Sequence, residues 1–173
     1  TILIAAARSL ESGGADFAII CTNTMHKLYD TLQQNIQIPL LHIADATAEI
    51  IKAEGIHKIA LLGTRFTMEE NFYKGRLVDN YGLEVIIPGS EDMEIVHRII
   101  YDELCAGIIQ SESKQRYKDI IERLVQDGAK GIILGCTEIG LLVKQADSPV
   151  PLFDTTEIHA KAAVKYALDN NNE

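Results

Sequence analysis

Gly128-Ala129-Lys130-Gly131-Ile132-Ile133-Leu134-Gly135-Cys136-Thr137 reads as a turn, a short apolar run and a small polar exit. A short apolar run bounded by glycines fits a strand buried on both faces, as in a parallel sheet. The same order occurs earlier, as Gly14-Ala15-Asp16-Phe17-Ala18-Ile19-Ile20-Cys21-Thr22-Asn23. Each stretch follows a helical pattern, and each leads to a Pro-Leu run. The first leads to Pro39-Leu40-Leu41-His42 and the second to Pro151-Leu152-Phe153-Asp154. Counted without gaps from Gly14 and Gly128, Cys136 pairs with Thr22, and Cys21 stands one place earlier. Such a repeat predicts two similar lobes whose strand ends meet at one cleft, where open α/β sheets bind ligands.

Outward from the repeat, helical spacing predicts helices over 2–11, 25–34, 45–54, 66–81, 91–106, 112–126, 138–143 and 157–170. Short apolar runs predict strands at 17–20, 39–43, 58–62, 83–87, 131–134 and 150–153. Their alternation argues for an α/β protein with parallel sheets flanked by helices. The polar end at Asn170-Asn171-Asn172 reads as a fraying tail.

Composition narrows the classes. The chain has 173 residues, 47% of them apolar and 24% charged, which excludes a disordered chain or a fibrous repeat. It carries 25 acidic against 16 basic residues, a net charge of -9, which argues against nucleic acid as a partner. No apolar run approaches the roughly 18 residues of a membrane helix, so no membrane role is expected. Three cysteines without paired spacing do not form a disulfide framework and fit a reducing, cytoplasmic setting. The chain opens on Thr1-Ile2-Leu3-Ile4, already inside a helical pattern and without an initiator Met, so further sequence upstream is expected. His26, His42, His57, His97 and His159 show no ligand spacing with the cysteines, so no metal is expected and each reads as a core or solvated histidine. Disulfide exchange, serine hydrolysis and nucleotide hydrolysis lack their motifs.

The strand ends carry the chemistry. A residue between a parallel strand and a helix meets unsatisfied backbone N–H groups and the positive end of the helix dipole. A thiol there is expected to have a lowered pKa, which makes Cys136 a candidate base or nucleophile. The alternative is a small apolar residue under the sheet. Cys105 falls on the face of Ile99, Ile100 and Leu104 and is expected in the core. Thr22, Asn23 and Thr24, Thr64 and Thr67, and Thr137 and Glu138 are either helix caps or donors to a ligand carboxylate.

These segments resemble the aspartate/glutamate racemase family, and within it the broad-specificity amino-acid racemases. Cys21-Thr22-Asn23-Thr24-Met25-His26 is similar to the family's first active-site segment and Gly135-Cys136-Thr137-Glu138-Ile139 to its second. Leu61-Leu62-Gly63-Thr64-Arg65-Phe66-Thr67-Met68 and the stretch from Phe153-Asp154-Thr155 to His159 match in place and order. The resemblance implies two pseudo-symmetric α/β lobes, 1–42 plus 152–173 and 43–151, with a small-molecule amino acid bound between them. It implies racemisation without pyridoxal phosphate, metal or other cofactor, and a homodimer. One acid–base group on each face of the α-carbon removes and returns the proton.

Two departures from the family stand out. The family begins with a strand and a Gly-rich turn that this sequence does not contain. Most members have cysteine where Thr22 stands. A threonine hydroxyl is a far poorer base than a thiolate, so Cys136 is expected to be the competent base, on the L face, with Thr22 or Cys21 on the other. Asn23, Thr24, Thr64, Thr67, Thr137 and Glu138 are expected around the substrate, with Arg65 the cation for a second acidic group. Competing readings are a hydantoin racemase or cysteine-based isomerase, a non-catalytic amino-acid-binding protein, an inactive fragment, and a redox protein that pairs Cys21 with Cys136.

Overall fold

The computed structural model describes residues 2–170. Thr1 and the Asn171-Asn172 end of the expected tail lie outside the described residues. Helix α1 (Ile2–Ser12) leads into strand β1 (Ala18–Ile19), a 3-10 turn (Thr24–Leu28), α2 (Tyr29–Gln33) and β2 (Leu40–Leu41). Then come α3 (Ile43–Ala53), β3 (Lys58–Gly63), α4 (Arg65–Glu69), α5 (Asn71–Tyr81) and β4 (Glu84–Ile86). Helix α6 (Ser90–Arg98), α7 (Ser111–Gln126), β5 (Ile132–Gly135), α8 (Ile139–Leu142), β6 (Leu152–Asp154) and α9 (Thr155–Asn170) complete the order. All strand pairs are parallel. Strands β1 and β2 form one sheet, and β4-β3-β5-β6 form the other, in that order.

The repeat is visible in the register. Ala18 pairs with Leu40 and Ile19 with Leu41 in the small sheet. In the large sheet Ile132 pairs with Leu152 and Ile133 with Phe153. These are the positions that the sequence repeat equates, so both halves use one strand register.

The large sheet supplies the main core. Ile59, Leu61, Leu62, Ile132 and Ile133 are fully buried, and α3, α5 and α7 cover them with Ile51, Leu77 and Ile120. Each such side chain contributes about 1.5–3 kcal/mol of burial energy. A smaller cluster of Ala7, Ala18, Leu32, Ile36 and Leu40 holds the small sheet. Helices α3 and α9, which come after the two equivalent strands, pack directly on each other.

Chain direction reverses between β3 and β5. From β3 the chain moves to β4 on one side, and from β5 it moves to β6 on the other. That is the switch point at which open α/β sheets form a crevice beyond their carboxyl ends. Glycine brings the two strand ends together. A Cβ on Gly63 would stand 2.9 Å from the Gly135 carbonyl oxygen, and one on Gly135 would stand 2.9 Å from that of Leu62.

Three expectations change. The helix over 66–81 breaks at Glu70, where the backbone is extended (φ -75, ψ 150). The break lets α4 lie on β3 while α5 lies on α3 and β4. The helix over 91–106 passes into a π segment (Ile99–Glu103) and a 3-10 turn (Leu104–Ala106), stopped by Gly107 at φ 73. The extra residue per turn rotates the next turn of the chain by roughly 100°. Leu104 is therefore buried while Cys105 is exposed, not in the core. Strand β6 hydrogen-bonds to β5, so residues 152–154 lie in the large sheet. Helix α9 reaches both parts, on α3 and through the Phe17–Tyr166 ring pair at 5.1 Å. Among the described residues no helix is long and apolar enough to cross a membrane.

Candidate active site

Four strand exits converge at the switch point: Thr22 to Thr24 after β1, Thr64 after β3, Cys136 after β5 and Thr155 after β6. Thr64 caps α4, its hydroxyl accepting from the Thr67 N–H at 3.4 Å. This turns Thr67 back over the strand ends, where its methyl group fills the space that Gly63 and Gly135 leave. The hydroxyls of Thr24, Thr64 and Thr67 form a triangle with edges of 3.4, 3.3 and 3.2 Å. Thr64 and Thr67 are buried, and Thr24 reaches them from the other lobe. Hydroxyls grouped in this way can turn their protons toward a bound oxyanion, and a charge-assisted hydrogen bond is worth roughly 1.5–3 kcal/mol.

Asn23 makes a second bridge between the lobes. The Thr155 hydroxyl gives its proton to the Leu134 carbonyl oxygen at 2.8 Å, so towards Asn23 it can only accept. Asn23 therefore presents its NH2 group, with Nδ2 3.0 Å from Thr155 Oγ1. The amide oxygen is left buried and without a hydrogen-bond partner. A buried acceptor without a donor costs about 1–3 kcal/mol and marks a place for a donor group of a ligand. The Asn23 side chain thus offers a free acceptor in addition to the donors that the sequence led us to expect.

Cys136 does not behave as the helix dipole suggested. Helix α8 has a single turn, and Cys136 lies before its N-cap residue, Glu138. The Cys136 thiol donates to Glu138, with Sγ to Oε2 at 3.0 Å. Burial and the adjacent Glu138 carboxylate push the thiol up to about 12. Burial alone would raise Glu138 as well, but hydrogen bonds from Cys136, Thr137 and its own backbone hold its carboxyl below the usual range. At neutral pH the resting pair is a thiol and a carboxylate. Passing the thiol proton to Glu138 would move the pair's single negative charge from oxygen to sulfur, a shift that a cation beside the sulfur would favour.

Cys21 is exposed, next to the half-buried Thr22. Cys21, Cys105 and Cys136 are all free thiols. Arg65 points to the surface, where its guanidinium meets Glu94 at 2.7 Å. Thr137 is half-buried beside Cys136. Sequence reading missed Cys105 as a neighbour of the site. Its thiol is raised first by burial and then by the charge of Glu138, and it acts in turn on Cys136. The turn that exposes it had no signal in the apolar spacing. The reading also missed Thr155, which was legible as the residue closing the Pro-Leu strand. His26, His42 and His159 are buried together at the seam, with His26 4.5 Å from His42 and 5.7 Å from His159 between ring centroids.

Among the described residues no group of three or more His, Cys, Asp or Glu side chains is arranged to hold a metal ion. The chain belongs to the Asp/Glu/hydantoin racemase family, whose model matches residues 1–163. It is 29% identical over 169 residues to the broad-specificity amino-acid racemase RacX of Bacillus subtilis, covering 96% of this chain and 71% of that protein. A Yersinia pestis structure assigned as an Asp/Glu racemase superimposes with a TM-score of 0.93 at 56% identity, over 96% of this chain and 73% of that one. An aspartate racemase homologue from Pyrococcus horikoshii gives a TM-score of 0.87 at 40% identity over the same shares.

Proposed function

We propose that the protein racemises acidic amino acids, aspartate or glutamate, or a wider set that includes them, by moving the α-proton between protein side chains without pyridoxal phosphate. The observation that supports this best is the Cys136–Glu138 pair at 3.0 Å, following Gly135, the residue that packs against Thr67 of the hydroxyl triangle. In this reading the α-carboxylate takes the hydroxyl triangle, and the α-ammonium donates to the Asn23 amide oxygen. The ammonium brings the positive charge that the Cys136–Glu138 pair lacks. Glu138 then accepts the thiol proton, and the Cys136 thiolate removes the α-proton from the L face. Electrons from the broken C–H bond are delocalised into the carboxylate, which the hydroxyls stabilise. A proton returned from the opposite face inverts the centre: Thr22 gives its hydroxyl proton while taking one from a water molecule, and the resulting hydroxide is neutralised as Glu138 releases the proton it accepted. A homodimer, as in the resemblance, is part of this proposal.

The test is proton NMR of L-aspartate, L-glutamate and a panel of other L-amino acids in D2O, with chiral analysis of the product. Loss of the α-proton signal with appearance of the D enantiomer supports the reading. No loss for any amino acid in the panel overturns it.

A further inference from the structure

Every proton on the His26 ring is fixed by main-chain groups. His26 is 2% exposed, in the 3-10 turn one turn beyond Thr22. Its Nε2 lies 3.2 Å from the N–H of Ile43. A backbone N–H only donates, so Nε2 carries no proton. Its Nδ1 lies 2.8 Å from the Thr22 carbonyl oxygen. A carbonyl only accepts, so Nδ1 carries the proton. The ring is therefore a neutral Nδ1–H imidazole held between Thr22, three residues past the end of β1, and Ile43, the first residue of α3.

The surroundings keep it so. His42 accepts from the Ala44 N–H at 3.1 Å through Nδ1, and His159 lies 3.1 Å from the Leu41 carbonyl through Nε2. Both rings pack on His26, and burial lowers all three imidazoles, His26 to about 4. The Thr22 N–H is itself bonded to the Ile20 carbonyl at 2.9 Å. Thr22 is thus held on both sides of its own peptide groups, and on the carbonyl side the holder is His26.

We infer that His26 is a positioning residue for Thr22. It ties the Thr22 backbone to the start of α3, the helix that joins the small sheet to the large one. The direction of the Thr22 hydroxyl is then set by the seam between the two halves, not by the two-residue strand before it. This rests on the reading of Thr22 as the proton donor on one face. It assigns His26 no contact with substrate.

Two measurements test it. The first is the 15N spectrum of the histidine side chains in the intact wild-type protein, with the His26 ring assigned through its own bonds to the assigned backbone. An Nδ1–H tautomer for His26 at pH 7 supports the inference, and an Nε2–H tautomer overturns it, whether or not any variant folds. The second compares His26→Asn with His26→Gln. The Asn amide nitrogen takes the place of Nδ1 and can still donate to Thr22, whereas the Gln amide occupies the place of Nε2 and can meet only Ile43. Appearance of the D enantiomer from L substrate should fall about tenfold in H26Q, the share of one hydrogen bond, and far less in H26N. Washout of the α-proton from L substrate, the Cys136 side, should fall by less than a factor of about three in both. Equal loss of both readouts in both variants would show a merely structural histidine. If the wild type itself washes out no amino acid, the racemase reading fails, and the positioning role fails with it. An active wild type with the wrong tautomer removes this inference alone.

Discussion

The Cys136 sulfur lies 3.0 Å from a carboxylate oxygen of Glu138, two residues along the chain. That spacing folds the carboxylate onto the thiol within one turn. It also places a negative charge beside a thiol that burial already raises, so the thiol stands at about 12 in the free protein. Alkylation by iodoacetamide should reflect this. Cys21, which is exposed, should react first at pH 7. The rate at Cys136 should keep rising with pH well beyond the ordinary thiol value of about 8.5. Peptide mapping of the alkylated protein checks the order, and preferential labelling of Cys136 at pH 7 would refute it.

Glu138→Gln should separate two effects. Removing the carboxylate removes one of the causes that raise the thiol, so Cys136 should alkylate faster at pH 8 than in the wild type. The same change removes the group that accepts its proton during turnover, so α-proton exchange should fall by about 10²-fold or more. Faster alkylation together with slower exchange is the expected pair of results. Slower alkylation would show that Glu138 activates the free thiol.

The hydroxyl triangle should appear in KM. Thr64→Ala and Thr67→Val each remove one donor to the substrate carboxylate, worth roughly 1.5–3 kcal/mol, and should raise KM about tenfold or more. Gly63→Ala should act on the same pocket through packing. Its Cβ meets the Gly135 carbonyl at 2.9 Å and the Thr67 side chain at 3.2 Å, and overpacking of this kind costs about 1–3 kcal/mol. Urea unfolding of Gly63→Ala checks the cost.

Acid stability should report the histidine seam. Burial lowers His26 to about 4 and His42 to about 2 in the folded protein, against about 6.5 unfolded. The unfolded chain therefore binds protons that the folded one refuses. Stability is full above pH 6.5 and declines as pH falls below it. At pH 5 each of these two imidazoles costs about 2 kcal/mol, at 1.36 kcal/mol per unit. Urea midpoints at pH 7 and pH 5, compared with those of His42→Asn, should show a smaller pH dependence in the variant.

Much of this was written in the sequence, though unevenly. The repeat was legible because strand burial and register are local: Ala18 with Leu40 and Ile132 with Leu152 arise from two matched apolar runs and their Pro-Leu partners. The strand-end residues were legible for the same reason. The state of Cys136 was not, because a lowered thiol was inferred from a helix dipole, while burial and the Glu138 charge act in space and outweigh it. Cys105 was misplaced because a π turn leaves no mark in apolar spacing. The histidine seam joins residues 26, 42 and 159 through the packing of α9 on α3, and no spacing along the chain announces that contact. Arg65 was chosen by motif, and its partner Glu94 is 29 residues away.

In the proposed reaction Cys136 removes the proton from the L face and Thr22 serves the other. Enantiomers have equal free energy in water, so the asymmetry must show in exchange, not in the equilibrium. The direct measurement is α-proton washout in D2O from L- and from D-aspartate, for the wild type, Cys136→Ser and Thr22→Ala. C136S should lose washout from the L enantiomer, while T22A should keep it and form the D enantiomer far more slowly. Washout of L-aspartate by C136S at the wild-type rate would contradict it.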